Sequence, residues 1–290
     1  MIKYVMPAQQ STLSTQQSTV SDEHEPLLHC VGSSWILIFA HPGHELRAHH
    51  LMERVHPTVV VLTDGSGSTL LSRLEESRAL VERTGARTGA TFGPLTDRAA
   101  YAALMDVDPR PFLAQVDAMA DALVNQNIQA VVVDAAEGFN PVHDVCHWIG
   151  VAATLRARRT GRRSTLFEID LIAHPNPLGD GLRLQLDEYA FARKLDAIAQ
   201  YAALKAEVEA AFSLYGQDAF RTEFLRPVTA EALPPPTWVP HYESVGDARV
   251  REGRYASSLR YASHVRPVIA KLLASAQSAN HAGPFGSPHQ

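Results

Sequence analysis

Histidine is the residue type whose positions suggest chemistry in this chain. There are 14 in 290 residues. Two of them, His41 and His44, stand three positions apart directly after an apolar run, with Glu45 next in line. A third, His143, lies far downstream after another apolar run, in Asn140-Pro141-Val142-His143-Asp144. Three neutral imidazoles suit zinc and leave a fourth position for water, as in a catalytic zinc site. A His-x-x-His pair alone is weak evidence in a histidine-rich chain, so spacing leaves solvated loop histidines open as the other reading. Asp64 closes a further apolar run ahead of Gly65-Ser66-Gly67-Ser68. That turn could set backbone N–H groups and hydroxyls around a polar ligand, or Asp64 could only tie its own turn. It is not a phosphate loop, because the lysine such a loop requires is absent. Cys146 follows His143 by three. A thiolate nucleophile needs access and a free base, so the residue reads as a buried structural cysteine.

These residues need elements to position them. The runs at 35–40, 58–62, 130–133 and 165–169 are short, apolar and without period-2 alternation, which suits strands buried on both faces. Helical spacing lies between them. Leu70, Leu74 and Val81 mark one helix ending near Gly85. Phe112, Val116, Met119 and Leu123 mark another, and Val145, Ile149, Ala152 and Leu155 a third. Strands alternating with helices predict an α/β protein: a Rossmann-like open, mostly parallel sheet with helices on both faces. Ligands bind beyond the carboxyl ends of such strands, and that is where His41, His44, Asp64 and His143 fall. A stripe through Phe191, Leu195, Ile198, Tyr201, Leu204, Val208 and Phe212 predicts one long helix stopped near Gly216. Leu233-Pro234-Pro235-Pro236 reads as a stiff connector, followed by a basic, Tyr-containing segment and an apolar helix through Leu273. The expected organisation is a flexible extension at 1–30, a main domain at 31–228, a C-terminal helical appendage packing on it at 229–275, and a disordered tail at 276–290.

Composition narrows the function classes. Hydrophobic residues make up 46% and charged residues 20%, enough for a sizeable core. The net charge of −5 gives no footprint for nucleic acid. No apolar run approaches the ~20 residues of a membrane span, and no signal peptide is recognisable. Two cysteines, Cys30 and Cys146, exclude a disulfide-rich scaffold and point to a reducing, cytoplasmic setting. Five arginines between Arg156 and Arg163 read as a solvated helix end, with an acidic partner or phosphate-rich ligand as the other possibility. A homo-oligomer is compatible with all of this.

Taken together, Ala40-His41-Pro42-Gly43-His44-Glu45, Thr63-Asp64-Gly65 and Asn140-Pro141-Val142-His143 resemble the LmbE/PIG-L family of zinc-dependent de-N-acetylases. Those proteins carry Ala-His-Pro-Asp-Asp-Glu after the first strand, a Thr-Asp-Gly turn after the second and His-Pro-Asp-His further on. Arg73 and Glu76 resemble the family's Arg-x-x-Glu element. The resemblance covers roughly residues 35 to 225. It implies a metal-dependent hydrolase that removes an N-acetyl group from an amino sugar or related small-molecule substrate. Zinc would be held by His41, His44 and His143, with Fe2+ the alternative, and Asp64 and Arg73 would bind substrate.

The departures bear on mechanism. The family's second ligand is Asp and here is His44, which leaves the site one charge more positive and should make bound water more acidic. The family's general base is Gly43 here. The oxyanion-stabilising histidine is Asn140, which can donate a hydrogen bond without charge. Three readings stay open: a relocated base, with Glu45 and Asp144 ahead of Asp64 and with Glu137 also a candidate; a metal hydroxide that needs no carboxylate; or a domain that has lost catalysis and binds a sugar or a metal. Glu45 or Asp144 could instead orient a ligand histidine.

Overall fold

The computed structural model describes residues 34–67, 69–175, 179–228 and 233–278. The expected N-terminal extension, Ser68 of the Gly-Ser turn, and the tail beyond Ser278 lie outside the described residues; Ala276 to Ser278 still belong to the last helix.

Four strands supply the buried frame on which the site rests. β1 (Trp35–Phe39), β2 (Thr58–Thr63) and β4 (Ala130–Asp134) are buried at every position, as their unalternating apolar sequences require. β4 pairs in parallel with β5 (Thr165–Ile169). With β3 (Arg87–Leu95) at one edge, the seven-stranded sheet runs β3-β2-β1-β4-β5-β7-β6, and its first five strands are parallel. β7 (Thr222–Pro227) and β6 (Leu182–Gln185) add an antiparallel edge. The strand order reverses at β1, which lies between β2 and β4 and opens a crevice at its carboxyl end. The expected α/β class with a mostly parallel sheet is therefore observed.

Helices cover both faces: α1 (His49–Val55), α2 (Leu74–Arg83), α3 (Asp97–Met105), α4 (Arg110–Asn125), α5 (Pro141–Arg159), α6 (Glu188–Gln200), α7 (Lys205–Tyr215), α8 (His241–Arg251) and α9 (Arg266–Ser278). α4, α5 and α9 share one core cluster on the sheet, in which Val265, Val268, Ile269 and Leu272 are all fully buried. Residues 233–278 thus pack into the same core as the sheet. Arg159, from the arginine-rich end of α5, donates to the carbonyls of Ala276 and Gln277 at the end of α9.

Three local expectations are corrected. The stripe from Phe191 to Phe212 is two helices, because Tyr201 leaves helical geometry (φ −86, ψ 79) and a short 3₁₀ turn, Ala202–Leu204, follows it. Tyr201 is buried there and its hydroxyl donates to the Arg73 carbonyl; the three-residue turn roughly keeps the apolar phase, which hides the break. Leu70 is outside α2, in an exposed loop with φ +60. β3 lies outside the four expected apolar runs, and it carries Gly89, Gly93 and Pro94, residues that strand interiors disfavour. Gly89 is required there: a Cβ would come within 2.8 Å of Val60 Cγ2 on the neighbouring strand.

Candidate metal centre

The ends of four parallel strands meet at one point. His41 and His44 follow β1, Thr63 ends β2, Asp97 follows β3, and Asp134 ends β4. His143 lies in the first turn of α5, after an N-cap at Asn140 and Pro141 at the first helical position, a favourable helix start. The three imidazoles converge. Ring centroids lie 5.4 Å apart for His41 and His44, 5.0 Å for His41 and His143, and 4.6 Å for His44 and His143. The rings pack edge to face, and among the described residues no set of three His, Cys, Asp or Glu side chains is disposed to hold a metal ion as the rings stand. Conversion to a coordinating set needs side-chain rotation.

Hydrogen bonds fix the tautomers of two rings. Thr63 Oγ1 donates its one proton to the Ala40 carbonyl at 3.1 Å, so at 2.7 Å from His41 Nδ1 it accepts. His41 Nδ1–H also faces Asp97 Oδ1 at 3.1 Å. His44 Nδ1–H donates to Asp134 Oδ2 at 2.8 Å, which also takes the Ala40 N–H at 2.7 Å. Each ring keeps Nε2 as a lone-pair donor, and a carboxylate behind a ligand histidine is the usual means of orienting it. His41 Nε2 and His143 Nδ1 are buried without a hydrogen-bond partner. Burial, then the charges of the neighbouring histidines, holds His44 and His143 well below the ordinary histidine range. Neutral rings are the form that binds metal. The orphaned Nε2, the fixed tautomers and the neutral donors fit a divalent metal of the zinc type.

The acids are tuned in opposite directions. Burial opposes ionisation of Asp97, but the hydrogen bonds that it accepts from His41 and from the Gly67 N–H hold its carboxyl well below the usual range. Burial pushes Asp134 up to about 7.

The histidines open onto a cavity of about 1160 Å³. One wall is apolar and comes from Leu46, Ile198, Leu204, Val208, Phe212 and Phe220. The rest carries Arg47, Arg73, Arg98, Asn140, Arg249 and Arg254, with the aromatic rings of Tyr101, Phe139 and Tyr255.

The other expected site residues are placed as follows. Asn140 lines the cavity, but its Oδ1 caps α5, accepting from Val142 N at 2.8 Å and from Tyr101 Oη at 3.3 Å, which leaves its amide NH2 to donate. Arg73 lines the cavity and anchors by Nε to the Gly65 carbonyl. Asp64 is occupied within its turn: Oδ1 accepts from Ser66 N, Ser66 Oγ and Asp97 N. Glu45 is fully buried behind the first motif, where it accepts from Gly43 N at 2.8 Å and from Ser77 Oγ, and burial raises it to about 6. Asp144 accepts from Gly138 N at 3.0 Å, and burial raises it to about 7. Neither Glu45 nor Asp144 reaches the cavity wall, and neither backs a histidine. Asp97 and Asp134 do that instead. Glu137 accepts from the N–H groups of Leu171, Ile172 and Ala173, pinning a loop that lines the cavity. Cys146 is buried, as expected, and burial pushes its thiol well up.

Gly43 is the position with most consequence. Its φ is +104, and a Cβ there would overlap Leu204 Cδ1 and stand 3.3 Å from Cγ. A leucine from the turn before α7 therefore covers the place where the resembling family carries its base.

The sequence puts Thr63 in a motif and Asp134 at a strand end but gives neither a role, and it does not mark Asp97. Asp134 had a signal: a charged residue closing the buried strand Ala130-Val131-Val132-Val133 needs a partner. Asp97 lacked one, because the strand before it was not recognised.

No family model matches the sequence, and no curated protein matches it. Among solved structures, the chain is similar to the A40926 pseudoaglycone deacetylase Dbv21, at 18% identity and TM-score 0.48, over 70% of this chain and 100% of that one. It is similar to the zinc-inhibited form of teicoplanin deacetylase Orf2 at 12% and 0.48, over 69% and 100%. For the conserved protein TT1542 from Thermus thermophilus the values are 18% and 0.45, over 70% and 98%. What this chain shares with the LmbE/PIG-L de-N-acetylases is carried by its motifs and their places: Ala40-His41-Pro42 after β1, Thr63-Asp64-Gly65 after β2, and Asn140-Pro141-Val142-His143 opening α5.

Proposed function

We propose that this protein is a metal-dependent hydrolase that removes an N-acyl group from an amino sugar or sugar-like amine, with His41, His44 and His143 holding zinc or iron(II). The observation that carries this reading is the convergence of three imidazoles, two of them backed by carboxylates, at the floor of a cavity beyond the parallel strands. The metal, when bound, supplies a Lewis acid for the acyl carbonyl and acidifies water, chemistry on which a site with glycine at position 43 depends. The chain supplies the rest. Asp97 and Asp134 keep His41 and His44 in the tautomer that leaves Nε2 free. The amide NH2 of Asn140 donates to developing negative charge on the acyl oxygen. Arg73 and the aromatic rim bind the polar part of the substrate. Glu45 holds Gly43 N, and Asp144 holds Gly138 N, so each shapes the loop beside a histidine.

A second reading has its own observation. Leu204 stands over Gly43, where a carboxylate would have to displace it, which favours a protein of this fold that binds a sugar-like ligand or a metal without hydrolysis. Both readings meet the same experiment. Untagged protein is assayed for metal beside His41→Ala and His143→Ala, and then for acetate release from N-acetylated amino sugars. About one metal ion per chain, lost in both variants, with acetate release, supports the hydrolase. Metal without turnover supports the binder. Wild-type protein that stays metal-free when offered zinc and iron(II) overturns the metal centre.

A further inference from the structure

The apolar wall has a feature that an acetyl group does not use. Leu204, Val208 and Phe212 recur at i, i+4 and i+8, a stripe of about 12 Å at 1.5 Å per helical residue. All three are only half-buried, and α7 contains no fully buried residue. Ile198 and Leu46 continue the stripe into the protein. Its inner end is Leu204, which lies against Gly43, between His41 and His44. Asn140, Arg98 and Arg249 come to the cavity from other elements, the head of α5, α3 and α8, while Glu207 of α7 lines it beside the stripe and Arg47 stacks on Phe220. An acetyl methyl would cover little of such a stripe, and apolar area left in water is a lost contribution.

We propose that this wall takes a medium-chain acyl group, so that the substrate is an N-acylated amine with an acyl chain well beyond acetyl. The inference rests on the site described under the proposed function. The amide would lie at the histidines, the acyl chain along Leu204, Val208 and Phe212, and the polar amine part toward Asn140 and the arginines. Hydrolysis would break the amide C–N bond. The oxygen of water would end on the acyl carbon, giving a fatty acid, and a proton would go to the departing nitrogen, giving a free amine.

The test uses the full chain loaded with zinc and two probes, N-acetylglucosamine and N-octanoylglucosamine. Turnover is read by amine release and binding by calorimetry. Octanoyl adds six methylenes to acetyl, and if the wall covers two or three of them the gain is about 15- to 60-fold, at roughly fourfold per methylene. Val208→Asp, at a half-buried helix position, should bring the octanoyl-to-acetyl ratio to within about threefold of unity. Val208→Thr controls for folding and should lower the ratio partially. Turnover of both probes with a flat or falling dependence on chain length overturns the inference and leaves the hydrolase intact. No turnover, but octanoyl-selective binding that Val208→Asp removes, supports the wall and refutes hydrolysis. Neither turnover nor binding refutes both. If Val208→Asp instead dissociates a dimer without changing the ratio, the stripe belongs to a second copy of the chain and the inference falls.

Discussion

Gly43 and Leu204 offer a direct test of how the site is built. The family that this chain resembles carries a carboxylate at position 43, so Gly43→Asp would be the obvious way to restore a base. The structure predicts that it fails. At φ +104 a side-chain-bearing residue is strained by about 1–3 kcal/mol. Its Cβ also meets Leu204, and forcing atoms into an occupied space costs a further ~1–3 kcal/mol. The sum is a loss of about 2–6 kcal/mol of unfolding free energy, nearly all of it already present in Gly43→Ala, because the Cβ is the offending atom. Leu204→Ala alone should lose about 1–2 kcal/mol, less than a fully buried leucine, because this residue is half-exposed. Combined with Gly43→Asp it should return the overlap part, for a coupling of about 1–3 kcal/mol. Urea denaturation of the four proteins measures the cycle. If Gly43→Ala unfolds within about 0.5 kcal/mol of wild type, or the costs of Gly43→Asp and Leu204→Ala add to within that margin, then Leu204 does not fill the position and the argument about the missing base fails. Activity reads the same cycle: Gly43→Asp should gain hydrolysis only in the presence of Leu204→Ala.

Other consequences follow from the surrounding structure. Asp134→Asn keeps the size of the side chain, but its amide can turn NH2 toward His44 and release the Nδ1–H tautomer. We expect metal affinity to fall about 10- to 100-fold, measured by competition with a chelating dye, and unchanged affinity would remove Asp134 as an orienting group. Lys194 and Glu223 form a buried ion pair at 2.9 Å, and Glu223 also accepts from His50 N and Leu51 N at the start of α1. Lys194→Met should cost about 3 kcal/mol by leaving that carboxylate unpaired; a loss below about 1 kcal/mol would mean that the backbone donors suffice. For Glu137, burial raises the carboxyl above its ordinary 4.5 despite three backbone donors. The folded chain therefore holds this proton at a pH where the unfolded chain has released it. That contribution is full below 4.5 and is lost as pH rises through the folded value. Glu137→Gln should remove this slope from the stability profile and speed amide exchange at Leu171 to Ala173; an unchanged slope would place the titration elsewhere.

The legible and illegible parts of this molecule divide along physical lines. Strands buried on both faces announce themselves, because every position must be apolar, so β1, β2 and β4 and the parallel order that they imply could be read from the sequence. Once those strands are parallel, their carboxyl ends must cluster, and His41, His44 and His143 meet although a hundred positions of chain separate the last from the first two. What could not be read is set by neighbours rather than by local pattern. β3 contains two glycines and a proline, and it is a strand because Gly89 lets it approach Val60 on β2. Asp97 follows β3, so the partner of His41 was hidden with it. Glu45 and Asp144 looked catalytic because they adjoin the motif histidines in sequence. In three dimensions their carboxylates turn inward to backbone N–H groups, while residues 56 and 90 positions from His41 and His44 supply the carboxylates. Adjacency in sequence is a poor guide at a strand end, because the chain turns sharply there and successive side chains point in different directions. The same argument accounts for Leu204. No local feature marks it as the residue that covers Gly43, and it does so because the helix breaks at Tyr201, a break that the apolar period passes over without a trace.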